Sequence, residues 1–535
     1  MKATDRRFLD AGGFAASARN DGMGNGQGVD VVENGVQNEQ ALPDGWVWTT
    51  IGECARAITG TTPSKKDPSN FGNYLPFVKP PQLKDSLVSE ADDELSAKGA
   101  KLARVLPPQS VLVSCIGILG KTGINSVPVA FNQQINAIVF PSEIEPRYGF
   151  YYMQSAGAKS WLHKVASATT VTIVNKSKFQ RTPFPLAPFP EQRRIVAAIE
   201  TQFTRLDAGM VALERARASL KRYRAAVLKA ACEGRLVPTE AALARAEGRA
   251  YEPADQLLIR ILAERCAKWE AAHPGKRYVE PAAPALSGVE GPELPEGWVC
   301  GNTGNLFAVS VGGTPSRSKP EYWNGNIHWV SSGEVAFCRI KDTREKITAL
   351  GLANSNAKLN PPGTVLLAMI GEGKTRGQSA ILDVPAANNQ NVAAILCSET
   401  TIMPEWVFYW FMARYEQTRK GGVASGGMQP ALNSQKVQAL LIALPPLTEQ
   451  RRIVAEVERR LSLVVALERE VEAALARAAR LRQSILKRAF EGRLVPQDPN
   501  DEPAAVLLER IRAAREAPAT GGKKRRTRQM PLPMM

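Results

Sequence analysis

Two stretches of the chain repeat hydrophobic residues at every seventh position and predict two long helices. The first runs from Glu191 to Cys232 with no proline and one glycine, and the second follows about 258 residues later. The seam positions are Ile199, Leu206, Leu213, Leu220 and Val227 in the first helix and Val457, Val464, Val471, Ala478 and Ile485 in the second. Heptads of this length are typical of coiled coils, and 42 residues make a helix of roughly 60 Å.

The ends and interruptions of these helices leave two packing alternatives. Each helix is predicted to stop at a glycine, Gly234 or Gly492, followed shortly by proline. Polar residues interrupt the seams, among them Arg224 in the first helix and Glu468 in the second. Each helix could pack separately into its own globular part. Two matching helices in one chain favour pairing with each other, and an antiparallel pair would give the chain approximate two-fold symmetry.

The hydrophobic pattern outside the long helices changes to short runs bounded by Gly, Pro and Asn, which predict strands. Such runs occupy Ser110–Ile116, Ala137–Val139, Thr364–Met369 and Val392–Leu396. One further helix is expected in each part, over Arg147–Lys164 and Glu405–Arg419. Shorter amphipathic helices are expected over Pro253–Lys268 and Pro503–Arg515. The fold class is therefore α+β, with two mixed α/β domains alternating with two long helices.

The chain is also a tandem duplication. Its recurring motifs keep their order and return 252 to 258 residues later. They are Leu42–Trp46 (as Leu294–Trp298), Thr62–Ser64 (as Thr314–Ser316), Gly120–Thr122 (as Gly373–Thr375), Asn132–Gln134 (as Asn388–Gln390), Glu191–Val196 (as Glu449–Val454) and Glu233–Pro238 (as Glu491–Pro496). A period this long is not that of a solenoid, so each copy is expected to hold a globular part and a helical part.

Composition narrows the function. The 535 residues include 68 Lys and Arg against 52 Asp and Glu, a net charge of 68 − 52 = +16. A basic surface favours polyanions, with nucleic acid first and an acidic membrane second. The hydrophobic content of 44% supports folded cores. No apolar run reaches the roughly eighteen residues of a membrane span, so no membrane partner is expected.

Cysteine and histidine are too sparse and scattered for metal or triad chemistry. The seven cysteines form no Cys-x-x-Cys pair, and the three histidines lie far apart. This pattern argues against disulfides and thiolate zinc sites and favours a reducing, cytoplasmic location.

Two short motifs resemble enzyme signatures but lack essential residues. Asn360–Gly363 is close to the Asn-Pro-Pro-aromatic motif of adenine methyltransferases, but glycine replaces the aromatic residue that would stack on the base. The two Gly-Lys-Thr motifs lack the P-loop glycine five residues earlier, where Cys115 and Ala368 stand. Each Gly-Lys-Thr motif is interpreted either as a surface turn or as a loop whose lysine contacts a DNA phosphate. No catalytic residue is predicted.

Side chains able to bind DNA cluster in the recurring loops. The candidates are Thr62, Ser64, Lys65, Lys66, Lys79, Gln82, Lys121, Asn132, Gln133 and Gln134 in the first part and Thr314, Ser316, Arg317, Lys319, Lys374, Arg376, Asn388, Asn389 and Gln390 in the second. The amides could instead be buried and stabilise turns. The Arg193-Arg194 and Arg451-Arg452 pairs begin helices, where positive charge opposes the dipole. They indicate either a phosphate or acidic partner or a solvated face.

The order of the motifs resembles the specificity subunit of a Type I restriction–modification system. Each variable part opens Leu-Pro-x-Gly-Trp and carries Thr-Pro-Ser, and each helical part opens Glu-Gln-Arg-Arg-Ile-Val and closes Glu-Gly-Arg-Leu-Val-Pro. The resemblance covers about Leu42 to Arg515. It implies that each variable part is a target recognition domain for half of a bipartite, asymmetric double-stranded DNA site. It also implies that the helices pair as an antiparallel coiled coil that sets the gap.

The resemblance also implies partners and cofactors. The chain would bind no cofactor and no metal itself. It would dock two modification subunits, which carry S-adenosylmethionine and methylate adenine, and possibly restriction subunits, which use ATP and Mg²⁺. The alternative is a coiled-coil structural adaptor with non-specific DNA binding. A stand-alone methyltransferase is disfavoured by the missing motifs.

The expected domain boundaries follow from the repeats and the resemblance. They are a flexible leader (1–41), a first target recognition domain (42–190), a first helical region (191–272), a linker (273–293), a second target recognition domain (294–448), a second helical region (449–516) and a basic disordered tail (517–535).

Overall fold

The computed structural model describes residues 41–168, 171–278, 293–371, 373–420 and 432–516. The predicted basic tail, the leader apart from its last residue and most of the predicted linker lie outside these residues. The described residues form two compact units. The first unit comprises the described residues up to Glu200 and from Gln483 onward, and the second comprises the described residues of Thr201–Arg482.

The first globular part consists of short strands and helices. Its strands are β1 (Val47–Thr50), β2 (Arg56–Thr59), β3 (Phe71–Val78), β4 (Ser86–Val88), β5 (Glu94–Leu95), β6 (Val105–Leu106), β7 (Val111–Ser114), β8 (Thr122–Asn125), β9 (Val129–Phe131), β10 (Ile135–Val139), β11 (Ser167–Ala168), β12 (Thr172–Ile173) and β13 (Pro183–Leu186). Its helices are α1 (Ile51–Cys54), α2 (Ala97–Leu102), α3 (Pro146–Gln154), α4 (Ala156–Val165) and α5 (Lys176–Gln180).

Three helices follow, and the second globular part then repeats the plan. The helices are α6 (Phe189–Cys232), α7 (Glu240–Glu247) and α8 (Ala254–Ala272). The second part contains β14 (Val299–Asn302), α9 (Thr303–Leu306), β15 (Val309–Val311), β16 (Trp323–Val330), β17 (Cys338–Ile340), β18 (Glu345–Ile347), α10 (Ala349–Ala353), β19 (Val365–Ala368), β20 (Ser379–Leu382), β21 (Ala386–Asn388), β22 (Val392–Ile395), α11 (Pro404–Ala413), α12 (Tyr415–Lys420), α13 (Ser434–Gln438) and β23 (Leu441–Leu444). The chain continues with α14 (Leu447–Phe490) and α15 (Ala504–Glu516).

Each globular part is organised around a mixed five-stranded sheet. The strand order is β2-β10-β7-β8-β4 in the first part and β15-β22-β19-β20-β17 in the second. The central strands are buried along their whole length, which explains why they are hydrophobic runs and do not alternate. Smaller sheets, β5-β3-β9-β6 and β18-β16-β21, flank them. The mixed α/β prediction for each globular part and the four predicted strand positions are confirmed.

The single helix predicted in each globular part is wrong, because two helices stand in its place. In the first part, Ser155 separates α3 from α4 with an extended backbone, and its side chain accepts a hydrogen bond from the Ala158 amide. A serine cap of this kind favours the start of a new helix over continuation of the old one. In the second part, Arg414 separates α11 from α12. Helix α7 was not predicted.

Strand register corrects two of the motif alignments. Thr122 pairs with Val113, whereas the equivalent strand pair of the second part joins Ser379 to Leu367. Gly377 is therefore the counterpart of Gly120, and Gly373–Thr375 lies inside a longer loop. In the other case, the Asn132 backbone amide donates to the carbonyl of Val78 at the end of β3, and the Asn389 amide donates to the carbonyl of Val330 at the end of β16. Asn132–Gln134 therefore matches Asn389–Asn391.

The two long helices form as predicted and end at glycines in the left-handed region, with φ of +64° at Gly234 and +67° at Gly492. Seam positions near the helix ends are buried, and Val464, Val471 and Ala478 are buried midway along α14. Leu206, Leu213 and Leu220 are partly buried, while most of their neighbours are exposed. No helix in the described part has the length and apolarity needed to cross a bilayer.

Polar residues that interrupt the seams contact the other long helix within the second unit. Arg224 of α6 pairs with Glu468 of α14 at 2.9 Å. Arg482 of α14 pairs with Asp207 of α6 at 2.6 Å, and its guanidinium lies 4.0 Å from the Phe203 ring centroid. These partners explain how the seams accommodate charge.

The Glu-Gln-Arg-Arg motif forms a buried latch in each unit. In the first unit, Glu191 is buried and accepts hydrogen bonds from the Trp46 indole at 2.9 Å and from Gln497 at 3.4 Å. In the second, Glu449 accepts bonds from the Trp298 indole at 2.9 Å and from the Glu240 amide at 2.8 Å. We call these two sites the indole–carboxylate latches.

The rest of the motif strengthens each latch. Gln192 accepts a bond from the Glu145 amide and donates to the Ala187 carbonyl, so it fixes the start of α3 against the helix. Arg194 pairs with Asp501 at 2.7 Å, and Arg452 pairs with Glu240. The acidic partner expected for these arginines therefore lies within the chain. The preceding arginines, Arg193 and Arg451, are exposed.

Each latch joins residues from both sequence copies. Gly492, from the second copy, packs so closely on Pro43 of the first that an added Cβ would lie 2.1 Å from the proline ring. Gly234, from the first copy, approaches Pro295 of the second in the same way, at 2.4 Å. The opening motif of one copy therefore meets the closing motif of the other in each unit.

Burial raises the pKa of the Glu191 carboxyl, and the Trp46 and Gln497 donors oppose that shift. A raised carboxyl pKa contributes stability below the unfolded value, and this contribution is lost as the pH rises through the folded value. Near neutral pH the ionised carboxylate depends on its donors. We expect Trp46→Phe to reduce the free energy of unfolding by about 1–3 kcal/mol, with a larger loss at pH 8 than at pH 5.

Calorimetry of the full chain measures this effect. Trp161→Phe is the matched control, because the Trp161 indole nitrogen lies in the same unit and has no hydrogen-bond partner. An equal loss in both variants, or a loss for Trp46→Phe that does not change with pH, would contradict the latch.

Candidate nucleic-acid interface

The recurring Thr-Pro-Ser loop and the glutamine turn meet in both globular parts. Thr62 donates a hydrogen bond to the amide oxygen of Gln133, and Thr314 donates the equivalent bond to Gln390. Both glutamines are exposed. The same bond therefore places a polar loop pair at the surface of each unit, next to the residues in which the copies differ.

The asparagines beside these glutamines are buried and bond to other groups of the chain. Asn132 is buried and exchanges hydrogen bonds with Gln134. Asn388 is buried, accepts a bond from Asn360 and donates to the Val392 carbonyl. Asn389 accepts a bond from the Asn391 amide. Their bonds shape the turns that present Gln133 and Gln390.

The remaining candidates of the first part divide into exposed and paired groups. Ser64, Lys65 and Lys66 are exposed on the loop after Thr62. Lys79 forms an ion pair with Asp93, and Gln82 donates to Asp92 at 2.7 Å. These two side chains are therefore held within the domain, whereas the loop lysines extend toward solvent.

The second part carries a more ordered arrangement at the same place. The Arg317 guanidinium lies 3.8 Å from the Trp323 ring centroid and bonds both carboxylate oxygens of Glu345. The ion pair lowers the pKa of Glu345, because the guanidinium stabilises its charge. The Trp323 indole donates to the carbonyl of Ser316. Arg317 is exposed, yet the two hydrogen bonds to Glu345 and the stacking on the Trp323 ring fix the orientation of its guanidinium.

Lys319 and the Gly-Lys-Thr loops complete the set of candidates. Lys319 donates to the Tyr322 hydroxyl at 3.1 Å. Lys121 is partly buried, Lys374 is exposed and Arg376 is buried. Thr122 bonds Asp85 and begins strand β8, so a helix does not follow the loop as it would in a P-loop. The structure therefore places these loops as strand connections.

The described residues hold no group of three or more His, Cys, Asp or Glu that could bind a metal. Burial raises the pKa of the Cys54, Cys115 and Cys232 thiols to about 12. These thiols therefore stay protonated near neutral pH, which disfavours a role as thiolate nucleophiles. The buried Asn360 side chain donates to the carbonyl of Ala386 and to the side chain of Asn388, both in β21.

The sequence alone did not identify Glu345 and Trp323 as site residues, because only the folded chain brings them next to Arg317. Around the Thr-Pro-Ser loops, both globular parts expose hydrogen-bonding and cationic side chains suited to binding a polyanion.

Comparison with known proteins supports this interpretation. The family model described as the Type I restriction modification DNA specificity domain matches residues 43–216 and again residues 295–477. The EcoKI specificity subunit of Escherichia coli K12 is 24% identical over 510 residues, covering 90% of this chain and 98% of the relative. The EcoBI specificity subunit of Escherichia coli is 24% identical over 512 residues, covering 94% and 98%.

A solved structure shares the fold. Its chain, from work described as the structural basis underlying complex assembly and conformational transition of the type I R-M system, matches with a TM-score of 0.57 at 20% identity. The match covers 85% of this chain and 99% of that one. The chain belongs to the family of Type I restriction–modification specificity subunits, which are non-catalytic DNA-recognition subunits.

Proposed function

We propose that the chain recognises a bipartite, asymmetric DNA sequence and brings adenine methyltransferase subunits to it. The observation that carries the proposal is that the family's DNA specificity domain occurs twice in one chain. We assign residues 42–190 and 294–448 as the two target recognition domains. Residues 191–272 and 449–516 are the helical regions. The leader, linker and tail keep the boundaries expected from the sequence.

The two recognition surfaces share a framework and differ around it. The Thr–Gln hydrogen bond is common to both. Lys65, an exposed cation, follows it in the first domain, whereas the second has Arg317 held between Trp323 and Glu345. Because side chains at these positions contact base edges or phosphates differently, the two half-sites are proposed to differ. The net charge of +16 supports backbone contacts.

We further propose that α6 and α14 pair as an antiparallel coiled coil and set the gap between the half-sites. Arg224 pairs with Glu468, and Asp207, earlier in α6, pairs with Arg482, later in α14. Contacts that run in opposite directions along two helices support antiparallel pairing. A helix of 44 residues is about 66 Å long, which exceeds one DNA turn of about 34 Å.

Partner subunits supply the chemistry in this proposal. Two modification subunits carry S-adenosylmethionine, and restriction subunits, where the system includes them, use ATP and Mg²⁺. The chain itself contributes recognition and docking. The specificity-subunit relatives, each matched over 98% of its own length, support this division. The structural adaptor is the alternative, and sequence dependence of DNA binding separates the two.

Arg317 offers a test at residue level. We expect Arg317→Ala to relax selection at one base pair of one half-site by about 1–3 kcal/mol, because a fixed guanidinium reads a base through two hydrogen bonds. Arg317→Lys keeps the charge but loses the fork, so it should relax selection similarly. The measurement is sequencing of DNA selected from a random pool by the chain assembled with its methyltransferase.

Arg339→Ala is the matched control, because Arg339 is also exposed in the second unit and pairs with Asp383 and Glu405. It should leave both half-sites unchanged. If Arg317→Ala leaves selection unchanged and alters neither affinity nor its salt dependence, the residue does not contact DNA. Relaxation of the two half-sites together would argue against one domain per half-site.

The helix pairing predicts a change in spacing. In the proposed antiparallel pairing, the two ion pairs imply that Leu213–Ser219 lies opposite Val471–Arg477. Removing both segments would then shorten the pair by one heptad and keep the seams in phase. Seven residues at 1.5 Å are about 10.5 Å, or about three base pairs at 3.4 Å each. We expect the preferred gap to shorten by about three base pairs while both half-sites stay the same.

The control replaces the same two segments with heptads of equal length and the same seam residues. This variant should keep the original gap. Selection from DNA pools with variable gaps gives the measurement. An unchanged gap in the shortened and folded protein would contradict the spacing role of the helices.

A further inference from the structure

A cleft of about 1080 Å³ lies in the first unit, lined by residues of β1, α3, α4, β13 and the last turns of α14. Four aromatic side chains, Trp48, Tyr152, Trp161 and Phe490, contribute to its walls. The proposed DNA-binding loops do not line it. Its size and aromatic lining are those of a ligand or side-chain binding cleft.

Polar atoms at the cleft are buried without partners. The indole nitrogen of Trp161 and the amide oxygen of Gln483, both lining residues, make no hydrogen bond. The amide nitrogen of Gln154, beside the lining residue Ser155, is also unpartnered. A buried donor or acceptor that has no partner destabilises the folded state. A bound group that offers both an acceptor and a donor would satisfy them.

The second unit has an equivalent place. The Tyr152 hydroxyl donates to the carbonyl of Pro183, and the Trp410 indole donates to the carbonyl of Leu441 at the matching position of β23. Trp48 pairs with Pro185 in the first unit, as Cys300 pairs with Ala443 in the second. Hydrogen bonds and strand register thus establish the correspondence.

In the second unit an arginine of the chain occupies this place. The Arg414 guanidinium lies 4.3 Å from the Trp410 ring centroid. Burial raises the pKa of the Cys232 and Cys300 thiols, and the positive charge of Arg414 opposes both shifts. The residue 258 positions before Arg414 is Ala156, which lines the cleft of the first unit. The first copy thus has alanine where the second has the arginine that stacks on Trp410.

We propose that the cleft of the first unit binds an arginine side chain presented by a protein partner. The guanidinium stacks among the aromatic walls and donates to the Gln483 oxygen. A main-chain carbonyl of the partner accepts from the Trp161 indole. The rim of the cleft carries Lys164 and Lys487 against one acidic residue, Glu491, so it favours a partner with acidic residues beside its arginine. The same charge disfavours the chain's own tail, Lys523–Arg528, as the occupant.

Blocked peptides titrated into the full chain test the proposal. The probe is acetyl-Glu-Gly-Arg-Gly-Glu-amide, with lysine and citrulline peptides as matched controls. Calorimetry and tryptophan fluorescence report binding. We expect the arginine peptide to bind at least about tenfold more tightly than either control, because lysine lacks the planar fork and citrulline lacks the charge.

Two variants connect binding to this cleft. Ala156→Arg supplies the arginine that the second copy has, so it should abolish peptide binding and raise the midpoint of thermal unfolding. Trp161→Phe removes the indole donor, keeps a smaller aromatic ring in the wall and should weaken binding several-fold, which keeps the test available if Ala156→Arg fails to fold.

Several outcomes would overturn the proposal. They are equal binding of the three peptides, no binding of the arginine peptide at about 10 mM, and binding that neither variant reduces. A chain ending at Glu516 should bind the peptide as the full chain does. Tighter binding after this truncation would identify the basic tail as the occupant instead of a partner.

Discussion

The Glu191 carboxylate is buried beneath the Trp46 indole, and Glu449 is buried beneath the Trp298 indole. An ionised group can remain buried only where donors compensate for lost water, and here the donors come from distant parts of the chain. Gln497 completes the first latch, and the Glu240 amide completes the second. The position of each globular part on its long helix, and hence any spacing function of the helices, depends on these contacts.

The latches separate constant and variable parts of the molecule. Motifs that recur in both copies bond to each other, as the Thr–Gln pairs and the glycine–proline contacts do. Residues that differ between the copies lie around this framework, and Arg317, which stacks on Trp323, is one of them. A constant framework with exchangeable surface residues suits a protein that must read two different half-sites. The cleft also differs between the copies, because Arg414 stacks on Trp410 at the equivalent place of the second unit, and Ala156 stands at the matching position in the first.

Sequence periodicity predicted the long helices, their glycine stops and the central strands, because those features are encoded locally. It could not predict that the closing motif of one copy packs on the opening motif of the other, since that contact joins residues hundreds of positions apart. The Gly-Lys-Thr alignment was wrong because identical letters fell on a loop of different length, which only strand register reveals. Asn132 and Gln133 were nominated together, yet only the glutamine is exposed, because side-chain burial depends on tertiary packing.

Methylation mapping in a host that expresses the cognate methyltransferase, with and without this chain, tests the central claim most directly. A split, asymmetric adenine-methylated motif that appears only when the chain is present is the expected result. Expression of both proteins and competence of the methyltransferase are confirmed separately. Two results would then contradict the account and favour the structural adaptor: the same methylation with and without the chain, or no methylation in either host.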